Sequence, residues 1–213
     1  MRTALVAGGS GLIGRELVQK LINSDQYGLI YLLSRKQGGP VHEKIREVVV
    51  DFEQLSLLKF DEPIDDVFCT LGTTMKQAGS RENFEKVDYK YVVALANLGK
   101  EAGAKKFLVI SAMGANPKSS VFYNKVKGMT EEALIKIGFN QLVILQPSLL
   151  LGERPERRIA ERFSGFMMKA LNFLIPNNYK AIRVEKVADY MLKMALNFSG
   201  TVSIVKSGEM QRL

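Results

Sequence analysis

Three residues whose types can together exchange a proton with a carbonyl oxygen follow one another in this chain: Ser111, Tyr123 and Lys127. Tyr123 and Lys127 stand four apart, a spacing that places two side chains on one face of a helix. An ammonium beside a phenol stabilises the phenolate and is expected to lower its pKa from ~10, so that the tyrosine trades a proton with a carbonyl or alcohol near neutral pH. Ser111 closes the apolar run Phe107-Leu108-Val109-Ile110, where its hydroxyl can orient the same oxygen. A Tyr-x-x-x-Lys pair arises in helices by chance, and the rest of the chain decides its weight.

At the amino-terminal end, Ala4-Leu5-Val6-Ala7 leads into Gly8-x-x-Gly11-x-x-Gly14 and then an amphipathic stretch with Leu12, Ile13, Leu17, Val18, Leu21 and Ile22. A buried strand that stops at glycine and restarts as a helix aims backbone N–H groups and a positive helix end at one point, which suits a pyrophosphate. Gly8 allows the tight turn, Gly11 lets phosphate approach the backbone, and Gly14 lets the helix lie close on the strand. After Tyr31-Leu32-Leu33, where a site for NAD often carries an acid for the ribose 2′-hydroxyl, this chain has Ser34-Arg35-Lys36. A guanidinium can clamp a 2′-phosphate and a serine can hydrogen-bond it, so NADP(H) is expected over NAD(H). Asp51 and Phe52 end a third strand with a carboxylate able to accept from an adenine amino group and a ring able to pack near it. The small-residue loop Thr70-Leu71-Gly72-Thr73-Thr74 ends a fourth, and permits close approach on the ribose and nicotinamide side.

These strand ends imply a frame. Strands are expected at Arg2 to Ala7, Leu29 to Ser34, Ile45 to Val50, Asp66 to Thr70, Lys106 to Ser111, Gln141 to Gln146 and Thr201 to Val205, with helices at Leu12 to Ile22, Asn83 to Glu101, Val121 to Ile137 and Val184 to Leu196. The alternation defines an α/β, Rossmann-like, doubly wound and mainly parallel sheet with helices on both faces and a small C-terminal appendage on the substrate side. At 213 residues and 46% hydrophobic, the chain is expected to form one domain over 1–213. A small lid or substrate-side insertion is expected over 152–183.

Composition narrows the chemistry. With one cysteine, Cys69, and one histidine, His42, neither a disulfide framework nor a Cys/His metal cluster can form, and no metal is expected. The net charge is +8, but 30 basic and 22 acidic residues are interspersed, which argues against a specific nucleic-acid surface. The first apolar run is broken by glycines within a few residues, unlike a secretory leader, and a cytoplasmic location is expected from it. Between Arg162 and Pro176 an apolar stripe (Phe163, Phe166, Met167, Met168, Leu171, Phe173) is too short to span a bilayer. It is open to core packing, to a lid over an apolar or aromatic substrate, or to a homodimer, protein or membrane-surface contact.

The combination resembles the short-chain dehydrogenase/reductase superfamily in its extended and atypical branches, and more closely the family of the Tat-interacting protein TIP30 and its bacterial relatives. The resemblance is carried by Phe68-Cys69-Thr70-Leu71-Gly72-Thr73-Thr74, Ser111-x-x-Gly114-Ala115, Tyr123-x-x-Val126-Lys127-Gly128 and Pro147-Ser148-Leu149-Leu150-Leu151. It implies a catalytic triad of Ser111, Tyr123 and Lys127, with Lys127 also bonding the nicotinamide ribose. It implies that Gly8, Ser10, Gly11, Leu12 and Ile13 bind pyrophosphate, Arg35 the 2′-phosphate, Asp51 and Phe52 the adenine, and that Thr70 to Thr73 with Pro147 to Leu149 line the ribose and nicotinamide. Two departures stand out. Asp88 replaces the asparagine many extended members carry, and the portion after Leu151 is short beside the substrate domain of sugar-nucleotide epimerases, which argues against such a substrate. The expected function is an NADP(H)-dependent oxidoreductase acting on a small carbonyl or alcohol; the alternative is an NADP(H)-binding regulatory or scaffold protein with vestigial catalysis.

Overall fold

In the computed structural model, which describes residues 1–152, 176 and 178–213, the strands are β1 (Arg2–Ala7), β2 (Tyr27–Ser34), β3 (Ile45–Val49), β4 (Asp66–Cys69), β5 (Lys106–Ile110), β6 (Gln141–Gln146), β7 (Leu150–Leu151), β8 (Ile182–Arg183) and β9 (Val202–Lys206). Seven of them form one parallel sheet in the order β3-β2-β1-β4-β5-β6-β9. The chain winds outward from β1 to β3, then crosses back to β4 and winds the other way. The two central strands, β1 and β4, therefore send their C-terminal loops apart and open a crevice between them, the place where open parallel sheets bind ligands. β7 and β8 form a separate short parallel pair, Leu150 opposite Ile182, which the sequence did not reveal.

The helices are α1 (Leu12–Ile22), α2 (Met75–Ala78), α3 (Arg81–Glu85), α4 (Tyr91–Glu101), α5 (Phe122–Ile137), α6 (Val184–Asn197) and α7 (Ser207–Met210). Period-two alternation sorts the strand side chains into two cores. Ala4 and Val6 of β1 join Leu17 and Leu21 of α1 and Val187 and Met191 of α6 on one face. Leu5 and Ala7 join Leu95 and Ala96 of α4 and Leu134 of α5 on the other. The 163–175 stripe and most of the expected 152–183 insertion lie outside the described residues.

Two local differences from the sequence reading have physical causes. β2 begins at Tyr27, because the Tyr27 ring is buried edge-on against Phe68 and its hydroxyl donates to Asp66 Oδ2 at 2.7 Å. The helix expected over Asn83 to Glu101 is broken into α3, a five-residue π-helical turn over Lys86–Lys90, and α4. A π-turn inserts one extra residue into the helical repeat and re-aims a side chain, and such turns gather at functional sites. Here the residue turned fully inward is Asp88.

At the opposite, N-terminal edge of the sheet lies a second buried acid. Asp66 accepts from Tyr27 and from Arg2 Nη2 at 2.7 Å, while Arg2 Nη1 and Lys106 Nζ donate to the Ala195 carbonyl at the end of α6. Burial raises the Asp66 carboxyl to about 6, outweighing the Tyr27 hydroxyl and the Arg2 and Lys106 charges that lower it. The folded state thus holds this proton more tightly than the unfolded chain does. The resulting stability is fully present below the unfolded carboxylate pKa and is lost as pH rises through the folded one. Urea unfolding should show wild type losing about 1 kcal/mol relative to Asp66→Asn between about pH 5 and about pH 7. A pH-independent difference between the two proteins would contradict this.

Candidate active site

The glycine loop is shaped by close approach. Gly8 has φ +88°, and a Cβ there would lie 2.5 Å from the Thr70 carbonyl carbon; a Cβ on Gly14 would lie 2.1 Å from Gly8 O. Only glycine lets the loop after β1 rest on the loop after β4 while α1 starts directly behind it. Gly11 N donates to Gly8 O at 2.9 Å and closes the turn. α1 has no side-chain cap at Gly11 and no acid in its first turn, so the N–H groups of Leu12 and Ile13 and the positive helix end meet an anion unopposed. Arg15 Nε donates to Ser10 O at 2.9 Å, adding a cation beside the loop. A cradle that only glycine can line, with an uncapped helix end, fits a pyrophosphate.

The adenosine side corrects two expectations. Ser34 donates its proton to Glu47 Oε1 at 2.9 Å, so the hydroxyl points to β3 and not outward as a phosphate donor. Glu47 also accepts from Gly38 N at 3.1 Å and Gly39 N at 3.0 Å, and these donors, the Gly38 amide foremost, hold its carboxyl below the ordinary range. Arg35 and Lys36 stand exposed on the loop that Glu47 anchors. Asp51 is exposed and accepts from Glu53 N at 2.9 Å, but the Phe52 ring is buried, 5.4 Å from Tyr91, and belongs to the core. The ring is thus committed to packing within the protein.

The β4 loop joins this cradle to α5. Thr70 N and Thr70 Oγ1 both donate to Ala7 O, at 2.9 and 3.0 Å, tying the loop to β1. A Cβ on Gly72 would lie 3.8 Å from Lys127 Nζ. Lys127 Nζ is 2.8 Å from Asp88 Oδ1, and Asp88 Oδ2 accepts from Thr73 N at 2.9 Å. Thr130 of α5 donates to the Asp88 carbonyl at 2.8 Å. Both partners of the ion pair are buried. Burial works against the Lys127 ammonium, yet Asp88, with smaller contributions from Tyr123 and Cys69, holds its pKa above the ordinary lysine value. Asp88, noticed in the sequence only as a departure, is the lysine's counter-ion.

Tyr123 is half-buried on the same helix, its ring 5.4 Å from Phe84. The expectation that Lys127 brings its phenol down is not met: burial raises it, Lys127 lowers it, Asp88 raises it again, and the sum lies above the ordinary tyrosine value. With Asp88 cancelling much of the lysine's charge, desolvation wins. Ser111, just beyond β5, is buried and donates to Glu131 Oε1, a partner the sequence reading missed although Glu131 lies one helical turn beyond Lys127. Pro147 is buried and its carbonyl accepts from Met113 N at 3.0 Å, whereas the Leu149 side chain is 68% exposed beside the crevice. Among the described residues no group of three or more His, Cys, Asp or Glu is arranged to hold a metal, and no helix is long and apolar enough to cross a membrane.

Residues 8–197 match the NAD(P)H-binding family, and the chain belongs to it, within the atypical branch of the short-chain dehydrogenase/reductase superfamily. Its curated relatives include HTATIP2 of Rattus norvegicus, 32% identical over 172 residues (77% of this chain, 71% of that protein). They also include FMP52, mitochondrial, of Candida albicans, 36% identical over 159 residues (72% and 69%). Among solved structures, WbmH of Bordetella bronchiseptica in complex with NAD+ superposes with a TM-score of 0.72 at 15% identity, covering 97% of this chain and 76% of that one. MoeE5 in complex with UDP-glucuronic acid and NAD gives 0.71 at 16% identity, covering 96% and 76%. At such identities the likeness shows the fold. The expected cytoplasmic location is overturned, because FMP52 relatives from several fungi are named as mitochondrial. That expectation rested on an apolar run broken by glycines, a pattern that carries no information about organelles.

Asp88→Asn removes the charge that opposes Lys127. The Tyr123 phenol should then titrate at lower pH, read by ultraviolet difference titration against the Asp88→Asn/Tyr123→Phe double variant. Stability should fall by about 1–3 kcal/mol, because a charge-assisted partner of a buried ammonium is weakened. An unmoved phenol titration would show that Asp88 does not govern the lysine's effect.

Proposed function

We propose that this protein is an NADP(H)-dependent oxidoreductase that interconverts a small carbonyl compound and its alcohol. The observation that carries the reading is the continuity of the cradle: the glycine loop rests on Thr70, and the same β4 loop two residues on reaches Lys127, one helical turn from Tyr123. A bound dinucleotide supplies the carbon that gives or takes hydride. In the reductive direction the Tyr123 hydroxyl gives its proton to the substrate oxygen, and the Lys127 ammonium stabilises the phenolate left behind. At neutral pH the phenol is protonated, as the acid role requires; because burial makes it a weaker acid, the Lys127 charge must act on the phenolate as it forms. Ser111 orients the substrate oxygen. The preference for NADP(H) is supported by Arg35 and Lys36, by the lack of an acid at the end of β2, and by the commitment of Glu47 to its own loop.

A regulatory NADP(H)-binding role with vestigial catalysis has its own supporting observation: Lys127 is paired with Asp88 and the Ser111 proton is held by Glu131. Tyr123→Phe separates the readings. For an enzyme, NADPH oxidation against a panel of aldehydes, ketones and quinones should fall by about 10²–10⁴-fold, with NADPH affinity by fluorescence titration unchanged. Binding without turnover in the wild type across that panel favours the regulatory role.

Arg35→Ala should weaken NADPH about tenfold or more while leaving NADH nearly untouched, since a guanidinium–phosphate contact contributes about 1.5–3 kcal/mol. Equal loss for both dinucleotides, again by fluorescence titration, would remove the 2′-phosphate role of Arg35.

A further inference from the structure

Behind Ser111 runs a chain of polar side chains that the reaction above does not use. Ser111 donates to Glu131 Oε1; Gln146 Nε2 lies 2.8 and 3.0 Å from the two Glu131 oxygens; Gln146 Oε1 accepts from Lys206 Nζ at 2.5 Å. Ser111, Glu131 and Gln146 are 7%, 8% and 4% exposed, and Lys206 closes the chain at the surface end of β9. The direction of these bonds is set by Lys206. An ammonium can only donate, so the Gln146 amide must turn its oxygen to Lys206 and its NH₂ to Glu131. A carboxylate already facing that NH₂ accepts from Ser111 as well, and the serine proton is drawn into the protein.

We propose that Glu131 is a positioning residue that decides which way the Ser111 hydroxyl faces. With Glu131 ionised, Ser111 meets the substrate oxygen as an acceptor and favours a bound alcohol. With Glu131 protonated, the Ser111 proton is released for donation to a carbonyl. The charged groups that face Glu131 are Lys127 from its own helix, itself paired with Asp88, and Lys206 from β9, both stabilising the carboxylate. Burial opposes them and raises Glu131 from the ordinary glutamate range, in the direction of neutral pH. The inference rests on the oxidoreductase reading only for its kinetic consequence. Reduction should gain as pH falls through the Glu131 titration, and oxidation should lose.

The first test needs no turnover. Infrared difference titration of the full chain without dinucleotide should show, beside the band of Asp66, a protonated carboxyl band that titrates above the ordinary glutamate range, is missing in Glu131→Gln and persists in Asp66→Asn. In Ser111→Ala its midpoint should move up by roughly one to two pH units, because a donor to the carboxylate is lost, and Ser111→Thr should restore it. Lys206→Gln, which frees the Gln146 amide and removes a cation, should also raise the midpoint, and it serves if Glu131→Gln fails to fold. The second test is the pH profile of kcat for NADPH-dependent reduction, whose Glu131 limb should be absent in Glu131→Gln. A midpoint unmoved by both Ser111→Ala and Lys206→Gln, or a wild-type limb retained in Glu131→Gln, overturns the proposal. A chain that turns over nothing defeats the oxidoreductase reading, while the infrared titration still decides the coupling of Glu131 to Ser111.

Discussion

Lys127 and Asp88 sit 2.8 Å apart, both buried, and the elements of the site converge on the pair. Desolvating two charges costs several kcal/mol per ion, and their attraction only roughly recovers it, so a buried pair contributes position more than stability. The position is shared by three elements. The π-turn supplies Asp88, α5 supplies Lys127, and the β4 loop supplies the Thr73 N–H that satisfies the second carboxylate oxygen. The pair thereby ties α5 to the loop that meets Gly8.

The same arrangement recurs at smaller scale. Ser34, Ser111 and Lys127 each attract attention as donors, and each has a carboxylate drawing its proton inward: Glu47, Glu131 and Asp88. Such pairs fix rotamers before any ligand arrives, which lowers the ordering cost of binding. They also mean that the charge offered to a ligand is smaller than the residue types imply. The phenol of Tyr123 registers this directly, standing above its ordinary value despite a lysine one turn away.

What could be read in the sequence was local. Alternating apolar runs gave β1 and β6 to the residue, because a strand buried on both faces is a short apolar segment bounded by turn residues. The glycine spacing was legible because each glycine answers a contact within its own turn or with a neighbouring strand end. Glu47 and Glu131 were not, since their partners lie 13 and 20 residues away and meet only when β2 pairs with β3 and when α5 folds back against the sheet. Glu131 did leave a signal, four residues after Lys127 on a helix already recognised, and the i, i+4 logic that joined Tyr123 to Lys127 extends to it. The π-turn left none: an apolar pattern through Phe84, Val92 and Leu95 reads as continuous helix whether or not one residue is added within it.

At the end of the sheet away from the crevice, Arg2 reaches the carbonyl of Ala195 across 193 residues of chain, and Lys106 reaches the same carbonyl across 89. Contacts of this span cannot form until the chain has been made through Ala195, and parallel strands joined by long crossovers are slow to pair for the same reason. During synthesis from the amino end, the outer edge of β6 therefore waits, apolar and unpaired, for β9 to arrive. The interval between those two events is when the nascent chain is most exposed to self-association, and when a chaperone would matter most to its yield.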